Sequence, residues 1–210
     1  DRLREGHARP VREHFCAGLD YQEKMARFLE NHDEPRAAAT FAPEVHEAAA
    51  VLTFLSPGLR FFHDGQFEGR RKRISPHLCR GPEESVDQML KAFYERLLSV
   101  LRHPVFRNGQ WQLLQCVPAW EENWTWDCFV AFAWQGDGGE RILVTVNYAP
   151  NRSQCYLRLP FTDLGGSEWR LTDLLGDAQY DRKGNDLLSG GLYLDEPPWN
   201  ACVFTLNKVA

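Results

Sequence analysis

The densest group of ionisable residues that directly follows an apolar stretch lies between Arg27 and Arg36, as Arg-Phe-Leu-Glu-Asn-His-Asp-Glu-Pro-Arg. Met25 to Leu29 reads as a short buried strand. Glu30, Asn31, His32, Asp33 and Glu34 follow it, and Pro35 ends the run. Carboxylates accept hydrogen bonds from hydroxyls or exchange protons, and imidazole donates or accepts near neutral pH. Such groups at the carboxyl end of a buried strand occupy the place where α/β enzymes hold their substrates. A second cluster has the same setting: Leu59 to Phe62 reads as a buried strand, and His63, Asp64, Gly65, Gln66 and Glu68 follow it.

The elements around these clusters alternate. Pro10 suits the first turn of a helix reaching about Leu19, with Gly18 weakening its end. A helix starts at Pro43, carries Glu44 in its first turn and stops before Pro57 and Gly58. A long helix opens at Pro82-Glu83-Glu84. Val86, Met89, Leu90, Phe93, Tyr94, Leu97, Leu98 and Leu101 form its apolar face, and His103 and Pro104 close it. Strand, loop, helix, strand, loop, helix implies parallel strands. From Val105 onward no helical period is evident. Short runs at 111–116, 129–134, 141–147, 155–159, 168–175, 192–194 and 201–206 predict an antiparallel β-sandwich; in one of them Ile142, Val144 and Val146 share a face. The fold class is α+β, with one unit over residues 1–104 and the sandwich over 105–210.

Composition narrows the function. Of 210 residues, 43% are hydrophobic and 25% charged, with a net charge of −5, which argues against a nucleic-acid surface. The basic run Arg70-Arg71-Lys72-Arg73 reads as a solvated loop. No apolar run is long enough to span a membrane, and no signal peptide is evident. The chain starts at Asp1, which suggests a trimmed product or an excised piece. Cys16, Cys79, Cys116, Cys128, Cys155 and Cys202 lack metal or redox spacing and read as reduced thiols of a cytoplasmic protein, although their even number leaves disulfides open. The histidines lack metal-ligand spacing, so no metal and no cofactor is expected. Trp120, Trp124 and Trp126 suit either packing in the sandwich or a platform for stacking sugars, packing being the commoner use.

Phe28-Leu-Glu-Asn-His-Asp-Glu-Pro-Arg36 resembles the last catalytic motif of the α-amylase family, glycoside hydrolase family 13, a strand ending in Asn-His-Asp. Ser56-Pro-Gly-Leu-Arg-Phe-Phe-His-Asp-Gly-Gln66 is similar to the segment forming that family's eighth barrel strand. In that order, with a long helix and a sandwich behind them, the two motifs are far more specific than Asn-His-Asp alone. The resemblance covers essentially the whole chain. It implies a partial (β/α)8 TIM-barrel segment followed by the family's carboxyl-terminal sandwich. It also implies that Asp33 stabilises the transition state by gripping sugar hydroxyls and that His32 binds the same sugar. Arg36 and Gln66 are candidate substrate-binding residues with less support.

The chain departs from the family in one respect. Retaining glycosidases need a nucleophile and an acid facing the scissile bond, and the family carries both upstream of Asn-His-Asp. No such motif lies within residues 1–24, and a substitute pair among Glu30, Glu34, Asp64 and Glu68 is a poor fit. The expectation is a carboxyl-terminal piece of an enzyme acting on starch-like or malto-oligosaccharide substrates, inactive alone. Its partners would be an α-glucan or oligosaccharide, together with the missing amino-terminal part of the barrel or another copy of the chain. A non-catalytic carbohydrate-binding or scaffold module, and a piece that completes a barrel in trans, are the alternatives.

Overall fold

In the computed structural model of the protein, which describes residues 2–78 and 80–209, two apolar runs become adjacent interior strands of a large sheet. They are β5 (Phe129–Gln135) and β6 (Arg141–Asn147), buried along almost their whole length. Before them come α1 (Ala8–Phe15), α2 (Leu19–Gln22), β1 (Ala26–Arg27), α3 (Ala37–Thr40), α4 (Pro43–Phe54), β2 (Leu59–Arg60), α5 (Gln88–Leu101), α6 (Val105–Asn108), β3 (Gln110–Leu113) and β4 (Cys116–Val117). After them come β7 (Ser153–Leu157), β8 (Glu168–Asp173), β9 (Gln179–Lys183), α7 (Gly184–Ser189), β10 (Leu192–Glu196) and β11 (Ala201–Lys208).

The second half is the expected antiparallel sandwich. A six-stranded sheet in the order β3-β5-β6-β11-β8-β9 faces a three-stranded sheet in the order β10-β7-β4. Alternation along the central strands sends side chains into two cores. Phe129, Ala131, Ala133, Leu143 and Phe204 point between the sheets, toward Cys116, Cys155 and Leu157. Val130, Phe132, Ile142, Val144 and Val203 point the other way, against Val11, Phe15, Leu52 and Leu55 of the helical half. Covering on both faces explains why these strands lack polar alternation. Polar contacts fix the seam: Trp134 Nε1 donates to the Leu55 carbonyl at 2.7 Å, and Tyr148 Oη donates to the Leu3 carbonyl at 2.7 Å. Asp127, in a short 3-10 turn (Thr125–Cys128), pairs with both Arg9 and Arg12 of α1.

Several expectations shift. The strands proposed at Met25–Leu29 and Leu59–Phe62 are each only two residues long. They do pair in parallel, with Ala26 opposite Leu59 and Arg27 opposite Arg60. The second is not buried: Leu59 is 70% exposed, and Phe28 and Phe61 beside it are also in solvent. Their other face, carrying Arg27 and Leu29, packs inward, so the two-stranded ladder is covered on one side.

The first helix ends at Phe15, before the Gly18 break, and α2 is separate. The long helix begins at Gln88, because the Asp87 carboxylate accepts from the Met89 and Leu90 amides at 3.1 Å each and sets the N-cap there. Pro82 to Val86 therefore lie outside it. The sandwich half is not free of helix, since α6 and α7 are single turns that carry too few residues to show a period. Strand β9 was not anticipated. Cys16, Cys116, Cys128, Cys155 and Cys202 are free thiols; Cys79 lies outside the described residues.

Candidate functional site

The loop after β1 is shaped by one side chain. Asn31 Oδ1 accepts from the amides of Asp33 at 2.8 Å and Glu34 at 2.9 Å, closing a tight turn with His32 and Asp33 at its tip. Both point outward. Their side chains are mostly exposed, and His32 Nε2 lies 3.2 Å from Asp33 Oδ2.

Beneath the tip, Glu30 is 1% exposed and Arg36 5%. Glu30 Oε2 accepts from the Ala37 amide at 2.6 Å, at the start of α3, and Glu30 Oε1 lies 3.2 Å from Arg36 Nη2. That second contact is close enough for charge pairing without the alignment of a hydrogen bond. Burial raises the Glu30 pKa, against the Ala37 N–H and the Arg36 charge, which favour the carboxylate.

Arg36 joins the two loops. Its Nη2 donates to the Asp64 carbonyl at 2.8 Å and its Nε to the Arg70 carbonyl at 3.3 Å. Gly65 makes the close approach possible. Its φ is +81°, and a Cβ there would sit 2.7 Å from Arg36 Nη2. The basic run, expected as a solvated loop, turns back over the site. Arg73 Nε donates to the His32 carbonyl at 3.2 Å, and Arg70 pairs with Asp64 at 3.3 Å. The Glu84 carboxylate holds the run in place by accepting from the Arg71 amide at 2.9 Å and the Lys72 amide at 3.3 Å.

Between the loops lies a cleft of about 210 Å³, lined among others by His32, Arg36, His63, Asp64, Arg70 and Arg73. Burial, and then the Arg36 charge, lowers the His63 pKa, which favours the neutral imidazole that can accept as well as donate.

Of the four residues singled out from the sequence, the structure brings His32 and Arg36 to this cleft and sets Asp33 at its rim. Gln66 is placed differently. It is 1% exposed, its Oε1 accepts from the His63 amide at 3.3 Å and its Nε2 donates to Tyr94 Oη at 2.8 Å. Both ends of its amide are engaged inside the fold, and it supports the second loop instead of facing a ligand. The network continues to His46, whose Nε2 lies 2.8 Å from Tyr94 Oη. Arg70 and Arg73 were missed as site residues; their only signal was a basic run placed soon after the second polar cluster.

Among the described residues, Glu30, Glu34 and Asp64 do not form a free pair across the cleft. Glu30 is engaged by Arg36, Glu34 by Arg4 at 2.9 Å and Asp64 by Arg70. What the site offers is an exposed carboxylate beside an imidazole, a spacing that suits adjacent hydroxyls, with arginine donors behind them.

No family model and no curated protein matches this sequence. Solved structures do match. The α-amylase from Geobacillus thermoleovorans, complexed with acarbose, is similar over 98% of this chain, with a TM-score of 0.69 and 17% identity. A maltogenic α-amylase from Thermotoga neapolitana is similar over 97%, with a TM-score of 0.67 and 16% identity. An α-amylase from H. orenii is similar over 99%, with a TM-score of 0.62 and 18% identity. The chain spans less than half of each of these proteins: 47%, 47% and 46% of their lengths. The fold is therefore the one that part of an α-amylase adopts.

Proposed function

We propose that the chain is the carboxyl-terminal part of an α-amylase-family glycoside hydrolase or transglycosidase, with α-glucosidic bonds of starch-like or malto-oligosaccharide substrates as its target. In this reading residues 1–104 supply the last two units of a (β/α)8 barrel, and residues 105–210 are the sandwich that follows it. Asp33 binds two sugar hydroxyls and tightens on them as the ring flattens toward an oxocarbenium-like state, and His32 holds the same sugar. Arg36 sets the loops from below. The nucleophile and general acid come from a preceding part of the barrel, which also covers Ala26, Phe28, Leu59 and Phe61. The free thiols support a cytoplasmic setting.

One observation carries the reading. The His32–Asp33 tip stands at the carboxyl end of β1, beside a parallel β2, in a chain with the fold of part of an α-amylase. The test is Asp33→Ala in the protein that includes the upstream coding sequence. Turnover of maltoheptaose should fall by about a thousandfold, the equivalent of several kcal/mol of transition-state binding. Unchanged turnover overturns the proposal. The 210-residue chain alone should release no maltose, and measurable release would place the bond-breaking groups within it.

A further inference from the structure

Trp120 and Trp124 stand in solvent, 54% and 65% exposed, while Trp126 packs against the sandwich core. Large aromatic side chains in water forgo burial worth about 2 kcal/mol or more each, so a turn that holds two of them outward needs a reason. This turn is held firmly. Asn123, only 5% exposed, accepts from the Ala119 amide at 3.2 Å and donates to Thr125 Oγ1 at 2.8 Å. Thr125 Oγ1 in turn accepts from the Gln154 amide of β7 at 3.0 Å. Glu122 adopts a φ of +67°, which a non-glycine residue holds only where its surroundings enforce it.

The turn leaves β4 directly and lies against the three-stranded sheet. The outer face of that sheet is aromatic as well. Tyr156 of β7 pairs with Tyr193 of β10, and their ring centroids are 5.4 Å apart. Two register positions along, on the same face, Gln154 pairs with Asp195, and Gln154 Nε2 donates to the Asp195 carboxylate at 2.8 Å. Arg152 grips the same carboxylate with two bonds, at 2.8 and 2.9 Å. The acid and the guanidinium neutralise each other, and both are held in fixed, planar positions.

We infer that this face and turn form a second carbohydrate site, a platform for a neutral α-linked gluco-oligosaccharide built on elements other than the His32–Asp33 loop. Aromatic faces take the C–H faces of sugar rings, and planar amide, carboxylate and guanidinium groups beside them take the hydroxyl rim. A protein interface keeps charged groups out of its apolar centre, whereas here the Arg152–Asp195 pair lies directly beside the tyrosines. The α-linkage rests on the function proposed above; the platform itself rests on the sandwich.

The experiment titrates the 210-residue chain with maltoheptaose and follows tryptophan fluorescence, with protein concentration varied in parallel. Wild type should saturate. Trp124→Ala and Tyr193→Ala, both at exposed positions, should each bind about tenfold more weakly while keeping the wild-type melting temperature. Met89→Ser, at an exposed position of α5 outside both sites, should bind as wild type does, and Asp33→Ala is titrated beside it to report on the other loop. If binding is lost in Asp33→Ala and kept in Trp124→Ala, the platform is overturned and the proposed function stands. If nothing binds at about 10 mM sugar, the platform is likewise overturned, and the function remains to be judged by turnover of the longer protein. A fluorescence change that follows protein concentration and not sugar marks the face as a self-association surface and also overturns the proposal.

Discussion

The two halves of this chain solve the same packing problem to different degrees. The sandwich buries the inner faces of both its sheets, and the helical half covers the remaining face of the larger one. The β1–β2 ladder is covered on one side only, and Phe28, Leu59 and Phe61 stand open on the other. The difference shows which faces are packed within the chain and which stand open. The candidate site grows from the half with the open face.

The largest expected effect is in the closed half. Phe129 is fully buried between the sheets, and Phe129→Ala should lower stability by about 3–5 kcal/mol, read by urea denaturation. A loss below about 1 kcal/mol would mean that the sandwich core is loose and that the contrast between the halves is overstated.

The open half has well-buried networks of its own, and pH reports on the one around His46. His46 is 2% exposed against Tyr94, and burial lowers its pKa from 6.5 to about 4. The folded protein therefore resists a proton that the unfolded chain accepts. This contribution is fully present above pH 6.5 and declines as pH falls from 6.5 toward about 4, by about 3 kcal/mol. Denaturation midpoints measured across that range should fall, and His46→Gln should flatten the slope. An unchanged slope in the variant would place the acid sensitivity elsewhere.

The seam between the halves should show an intermediate effect. Arg9 and Arg12 of α1 both pair with Asp127, and Arg12 also donates to the Phe129 carbonyl at 2.7 Å. Burial acts to raise the Asp127 pKa, but the two guanidinium partners outweigh it and hold the carboxyl below the usual range. Asp127→Ala should cost about 2 kcal/mol and loosen α1 first, seen as faster amide exchange over Val11 to Phe15. Equal exchange in α1 and in β5 would show that the halves unfold as one unit.

Legibility in the sequence followed the same divide. Strands β5 and β6 were visible because a strand buried on both faces is a continuous apolar run. Strand β9, Gln-Tyr-Asp-Arg-Lys, was not: it is an exposed edge whose charges suit solvent and leave no apolar period. Helix α5 was visible by its period, but its start was misplaced by Pro82 because the Asp87 cap is a local bond and not a pattern. At the site, the Asn-His-Asp tip could be read because the turn is made by adjacent residues. The burial of Gln66 could not, since it depends on Tyr94, 28 positions away. The reach of Arg73 to His32 spans 41 positions and was equally hidden.

The smallest effect is expected where the molecule is most open. Leu59 is the most exposed apolar residue on the ladder, at 70%, and Leu59→Ser removes little packing within the chain. Its midpoint should move by less than about 0.5 kcal/mol, the range of ordinary surface substitutions. The prediction is sharper than its size suggests, because the same residue lies on the face assigned to a preceding part of the barrel. If Leu59→Ser lowers stability by more than about 1.5 kcal/mol, and sedimentation shows wild type associating where the variant does not, a second copy of the chain covers this face in solution. The open half would then be completed by self-association. If neither changes, the face is free, and the same substitution in the longer protein should cost about 2 kcal/mol as the leucine there becomes part of a core.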